Sequence, residues 1–209
     1  SIMSTLAGFT TYSLGLILFF LLILTTVHGQ STGEPSYSEK GSQSILGTME
    51  YVSGFGTKQD IAVYSFRIRY GSFLFKNVSL SMFFDLSATD GFYFVKSDAE
   101  EEYLKAESFG LGTSFLLRWY AIRIGETRIF LDAGAGILYT FKSFPSKGTK
   151  LNFTARPGVG IAVHINQNLN LIAGLNRFHL SNGQGYKHPH NPAFDGLGVI
   201  AGVVFRVKE

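Results

Sequence analysis

The sequence predicts an all-β protein, an eight-stranded antiparallel β-barrel of the transmembrane, outer-membrane kind. Three observations carry this reading. Apolar and polar residues alternate with period two from about residue 47 to the end of the chain, the pattern of a strand with one buried and one solvated or lipid-facing side. Eight such segments recur, several longer than 12 residues, whereas a strand of a water-soluble sheet is usually about five or six residues long. Charged residues make up only 16% and aromatic residues 15%, with 24 Gly in 209 residues; a soluble domain carries about 25% charged residues.

The elements follow in order. Residues 1–29 contain no Asp, Glu, Lys or Arg, and Leu14 to Leu24 form an apolar run before Val27-His28-Gly29. This reads as a secretory signal peptide with Gln30 as the mature start; the alternative is an uncleaved anchor helix, which needs about 20 apolar residues. Residues 30–46, rich in Ser, Gly, Glu and Lys, read as an N-terminal lead-in. Residues 47–209 read as the barrel, with strands at about 47–57, 61–71, 77–88, 108–123, 127–141, 150–165, 168–182 and 195–207.

The alternation is clearest between Leu151 and Ile165. There Leu151, Phe153, Ala155, Pro157, Val159, Ile161, Val163 and Ile165 share one face, and Asn152, Thr154, Arg156, Gly158, Gly160, Ala162 and His164 the other. Across the segments the polar face carries Arg67, Arg69, Asp85, Arg118, Asp132 and Arg156, which can neutralise one another inside a narrow barrel. A soluble eight-stranded barrel would invert the faces, with the apolar side inward around a ligand. The polar face here has too many Gly and too few Lys and Glu for a solvated exterior. Pro157, which removes a ladder donor, is expected at a bulge.

Connection lengths agree with a membrane barrel. With the first strand running outward, outer connections fall at about 89–107, 142–149 and 183–194, and inner ones at Ser72–Lys76, Ile124–Glu126 and Asn166–Gln167. Long outer loops and short inner turns are the outer-membrane pattern. The first outer turn, Lys58–Asp60, is a tight hairpin. Trp119, Tyr120 and Tyr139 read as interface-belt or wall residues.

Composition excludes several function classes. With no Cys, disulfide and thiolate chemistry are absent. A formal charge of +3 is too small to argue for nucleic acid and only weakly favours anionic lipid. A pore is disfavoured, because eight strands leave an interior that side chains fill.

The residues that suggest chemistry lie in the last hairpin, 168–207. The outward set of its first strand is Leu169, Leu171, Ala173, Leu175, Arg177, His179 and Ser181: four apolar residues, then three polar ones as the strand reaches the outer rim. Asp195 has the parity of the outward face on the returning strand and can lie beside His179. A Ser hydroxyl needs a neighbouring base to become a nucleophile; His suits that role, and a carboxylate fixes its tautomer. Ser181, His179 and Asp195 thus supply nucleophile, base and orienting acid at the depth of lipid ester linkages. Asn182, Asn191 and the backbone N–H groups of Gly183-Gln184-Gly185 are candidate oxyanion donors. Arg177 is a substrate-binding candidate for a lipid phosphate, or snorkels at the interface. His188 and His190, flanking Pro189, read as a solvated loop rather than a metal pair. A hydrolytic triad needs no cofactor.

Phe178-His179-Leu180-Ser181-Asn182-Gly183, followed by Asn191-Pro192-Ala193-Phe194-Asp195, resembles the His-X-Ser-Asn and Asn-Pro-Gly-X-Glu pattern of the outer-membrane lipid A deacylases, the PagL-like family. Leu117-Arg118-Trp119 and Phe130 to Gly136 are similar to that family's middle strands, so the resemblance spans roughly 108–207. It implies an eight-stranded barrel in the bacterial outer membrane that hydrolyses the ester-linked acyl chain at the 3 position of lipid A in lipopolysaccharide. It implies Ser181 as nucleophile, His179 as base and Asn182 as essential through the oxyanion, with Asn191 as alternative donor. The pattern departs at Asp195, where the family usually has Glu, at Ala193 in place of Gly, and in a loop about two residues longer. Asp is one methylene shorter, so its backbone must approach His179 more closely. The contrasting reading is a non-catalytic small outer-membrane barrel for adhesion or surface protection. The acidic stretch Asp98-Ala99-Glu100-Glu101-Glu102 in the 89–107 loop would then serve as a binding element or hold divalent ions.

Overall fold

The computed structural model describes residues 40–55, 59–96, 101–183 and 193–207. The expected signal peptide, most of the lead-in, His188, His190 and the oxyanion candidates Asn191 and Gly185 lie outside the described residues. The strands are β1 (Gln43–Gly54), β2 (Gln59–Phe75), β3 (Val78–Lys96), β4 (Glu101–Lys105), β5 (Ser108–Ile124), β6 (Thr127–Thr140), β7 (Leu151–Asn166), β8 (Leu169–Ser181) and β9 (Phe194–Val207). Each of the eight barrel strands pairs antiparallel with its chain neighbour, and β1 pairs with β9 to close the ring. Closure leaves the eight barrel strands without an open edge, which a lipid environment does not tolerate.

β4 is the element the sequence pattern omits. Among the described residues it pairs only with the outer end of β3, from Phe92↔Lys105 to Lys96↔Glu101. The expected 89–107 loop is therefore mostly a hairpin that prolongs β3 and β5 above the rim. Gly91, at φ +127°, marks the join; a Cβ there would lie 2.0 Å from the Asp60 carbonyl oxygen. β1 opens at Gln43, four residues before its expected start at 47. The inner connections are two-residue turns at Lys76-Asn77 and Gly125-Glu126, shorter than expected, and at Gln167-Asn168, one residue later than expected. Asn77 and Gly125 adopt the positive φ that such tight hairpins require. Pro157 does not sit at a bulge. The β7–β8 ladder lapses at Arg156 and Pro157 and resumes at Gly158↔Asn176 in the register of Ala155↔His179. The missing proline N–H is absorbed as a gap rather than as an inserted residue.

The two faces fall as the alternation requires. Met49, Phe66, Ile68, Met82, Phe84, Phe115, Leu117, Leu131, Phe153, Val159, Leu175 and Leu197 stand exposed on the outer wall. That belt is the outside of a barrel that crosses a membrane with its strands. Trp119 is 51% exposed on this wall, one pair from the Lys76-Asn77 turn. Tyr120 corrects the wall assignment: it is buried inside, 5.7 Å from Phe73 and 6.0 Å from Phe130 between ring centroids. A register shift between Tyr120 and Ile122 marks the same place. Because Trp119 is the single Trp, its fluorescence reports one depth. Lipids brominated near the carbonyl end of the chain should quench it more strongly than lipids brominated near the terminal methyl. The reverse order would move this turn away from the interface.

The lumen is filled in layers. A lower apolar cluster of Leu46, Phe73, Phe83, Leu116, Tyr120, Phe130, Ala162, Ile172 and Val204 closes the inner end. Gly160 makes room for it: a Cβ there would lie 2.4 Å from the Phe130 ring. Above it lies a polar layer. Arg67 Nε donates to Asp85 Oδ1 at 2.7 Å, and Ser114 Oγ to Asp85 Oδ2 at 3.2 Å. Arg156 lies 3.5 Å from Asp85 and 3.4 Å from Glu50. Glu50 also takes a hydrogen bond from Asn176 and an ion pair from Arg67. A second pair, Arg118 with Asp132, is bidentate at 2.8 Å for both bonds and sits lower. Each of these arginines also stacks on a ring: Arg67 on Phe83, Arg118 on Phe130 and Arg156 on Phe178. An upper apolar cluster of Val52, Ile61, Val63, Ala106, Leu138, Phe144, Phe178, Leu180 and Phe194 closes the outer end.

Candidate active site

The last hairpin places polar side chains on one face and packing on the other. In β8, Phe178 and Leu180 point inward and are fully buried, while Arg177, His179 and Ser181 alternate with them on the outer wall. In β9, Phe194 is fully buried and Asp195 faces outward. Phe194 packs against Phe178 and against Phe144, which the connection between β6 and β7 folds over the mouth of the barrel. The outward polar residues thus stand on a base that is locked from behind. Phe144 was not legible as part of the site, because an isolated Phe in a polar loop has no periodicity to assign it.

His179 and Asp195 are direct cross-strand partners. His179 Nδ1 lies 3.1 Å from Asp195 Oδ1. The Phe55 N–H donates to the Asp195 carbonyl at 3.1 Å, so the Asp195 backbone groups face β1. Toward β8, the His179–Asp195 position is then the narrow kind of pair, in which facing side chains come closest. This is how the shorter Asp reaches the imidazole. A carboxylate only accepts, so the bond puts the proton on Nδ1 and leaves Nε2 as the basic nitrogen.

Arg177 also reaches Asp195. Its Nε and Nη2 donate to the same Oδ1 at 3.2 and 2.9 Å, and its guanidinium lies 5.8 Å from the Phe55 ring centroid. Ser181 lies two residues beyond His179 on the same face, half-buried, beside Phe153 of β7. Among the described residues its hydroxyl is not hydrogen-bonded to His179. Successive same-face residues stand about 6.6 Å apart along a strand, so contact depends on the two side chains leaning together, as catalytic pairs do when substrate is bound. Asn182 is buried, on the lumen side of the rim, next to Gly183 at φ +68°. Nothing among the described residues brings its side chain to the outward face. Its neighbouring backbone is the part that borders Ser181.

The sequence matches the family described as lipid A 3-O-deacylase (PagL) over residues 65–204, more than half of the chain. The chain belongs to that family. Among solved structures, the outer membrane enzyme PagL superposes with a TM-score of 0.51 at 16% identity, covering 75% of this chain and 97% of that one. Neisserial surface protein A (NspA) superposes with a TM-score of 0.52 at 11% identity, covering 79% of this chain and 96% of that one. At these identities the structural likeness concerns the fold alone. No curated protein sequence matches the chain. Membership of the lipid A 3-O-deacylase family agrees with the resemblance seen in the His179-Leu180-Ser181-Asn182 motif, which lies within the matched span.

Proposed function

We propose that this protein is an outer-membrane serine esterase that removes the 3-O-linked hydroxyacyl chain from lipid A of lipopolysaccharide. The observation that carries the reading is the His179–Asp195 hydrogen bond on the lipid-facing wall, with Ser181 on the same strand face. In this reading Ser181 Oγ attacks the acyl carbonyl carbon while His179 Nε2 takes its proton. Asp195 holds the imidazole and stabilises the imidazolium. The tetrahedral intermediate collapses, the bond to the sugar oxygen breaks, and His179 returns its proton to that oxygen. Water then repeats the sequence on the acyl-enzyme and releases a free fatty acid. Backbone N–H groups at Asn182 and Gly183 are the described candidates for the oxyanion; Asn182 would hold that turn from the lumen side, and Asn191 and Gly185 would complete the donor set. The substrate never leaves the bilayer: its chains lie along Leu175, Leu197 and Val199 below the polar rim.

The test is incubation of the refolded protein with lipopolysaccharide, followed by mass spectrometry of the lipid A. Loss of one 3-hydroxyacyl group is expected. Unchanged lipid A from a sample shown to be folded would overturn the reading in favour of a non-catalytic barrel.

A further inference from the structure

We infer that Arg177 is a positioning residue for the acid of the triad, rather than a ligand for lipid phosphate; this rests on the esterase reading above. The observation is that three N–H groups converge on one oxygen. Asp195 Oδ1 accepts from Arg177 Nε at 3.2 Å, from Arg177 Nη2 at 2.9 Å and from His179 Nδ1 at 3.1 Å. An Asp at a strand end turns among several staggered rotamers, and only those that aim the carboxylate at β8 serve His179. Arg177 stands one same-face step below His179, and its planar fork grips Oδ1 from the side away from Ser181. It thereby selects the carboxylate orientation that His179 needs. Its own place is fixed by the Phe55 ring, while the Phe55 N–H pins the Asp195 backbone. The end of β1 therefore holds both halves of the clamp.

The charge acts in the opposite sense to the orientation. A fixed cation on the same carboxylate oxygen opposes the imidazolium that forms during attack. Arg177 therefore adds precision at some loss of electrostatic support. Its position on a half-exposed wall means that substitution leaves the packed lumen untouched.

The experiment compares wild type, Arg177→Gln and Arg177→Lys on two substrates: lipopolysaccharide, and a phosphate-free p-nitrophenyl hexanoate in detergent. Positioning predicts that Arg177→Gln lowers kcat about ten- to a hundredfold, the size of effect seen when a partner orienting a functional side chain is lost. KM should stay within about twofold, and the loss should be equal on both substrates. Lys, a point charge without the planar fork, should not restore kcat. In the Arg177→Gln background, Asp195→Glu should recover part of kcat, because the longer side chain reaches His179 without being held. A rise in KM confined to lipopolysaccharide, corrected by Lys, would overturn the inference and make Arg177 a phosphate ligand. Wild-type kinetics for Arg177→Gln would also overturn it. If the folded wild type hydrolyses neither substrate, the esterase reading falls and takes this inference with it, an outcome distinct from either pattern in the variants.

Discussion

A Ser181→Ala protein should fold and insert as wild type does, yet deacylate lipopolysaccharide at least about a thousandfold more slowly, as expected when a nucleophile acting in a catalytic unit is removed. The folding half of this expectation follows from position. Ser181 is the last residue of β8, outward-facing and at the rim, so losing one hydroxyl opens no cavity and strands no buried partner. The catalytic half follows from the absence of a substitute. Arg177 and His179 are the other polar residues on the outward face of β8, and both bind Asp195. His179→Gln should fall with it, and the double variant should be no slower than either single one, because residues that act as a unit do not add. Mass spectrometry of lipid A over time gives the rates. A Ser181→Ala protein with more than a tenth of wild-type activity would remove Ser181 from the role of nucleophile.

Asp85→Ala should have the largest effect on stability, a loss of about 3–5 kcal/mol, the usual result of taking one partner from a buried ion pair. Asp85 is 1% exposed and receives bonds from Arg67 and Ser114, with Arg156 close by. Without it, Arg67 and Arg156 share Glu50 alone, at 3.7 and 3.4 Å. Two guanidinium groups would then face one carboxylate in a closed lumen between two apolar layers. Urea titration in detergent, followed by Trp119 fluorescence and by the gel mobility of the folded barrel, gives the difference. A change below about 1 kcal/mol would mean that water enters the lumen and solvates the arginines, contrary to the packing described here.

What could be read from the sequence was what depends on parity. Side chains of a strand alternate strictly, so the placement of Arg67, Asp85, Arg118 and Arg156 inside and of His179, Ser181 and Asp195 outside followed from counting. The hairpin register then put His179 opposite Asp195. Glu50 obeys the same rule as the charged residue among inward positions of β1, and the same count would have found it. What was hidden depends on contacts across distance. β4 lies in an acidic stretch with no apolar face, because it stands above the membrane and borrows its pairing from β3. Tyr120, by contrast, shares the inward parity of Ser114, Leu116 and Arg118, and the same count would have found it. Arg177 reads as a free rim cation in one dimension; its grip on Asp195 is diagonal and depends on side-chain length. Asn182 was expected beside the oxyanion, but it continues the inward parity of Asn176, Phe178 and Leu180, so counting alone places its side chain on the lumen side.

The filled lumen sets the geometry of traffic around this protein. With apolar clusters at both ends and ion pairs between them, side chains of the described residues fill the lumen, and the outer wall of the barrel stands in a two-dimensional fluid. In the proposed reaction, substrates reach His179 and Ser181 sideways, by diffusion in the plane of the outer leaflet, and both products depart the same way. Turnover is then governed by the surface density and lateral mobility of the lipid, not by its concentration in bulk water. Only molecules already resident in that leaflet, with the susceptible bond at rim height, come within reach.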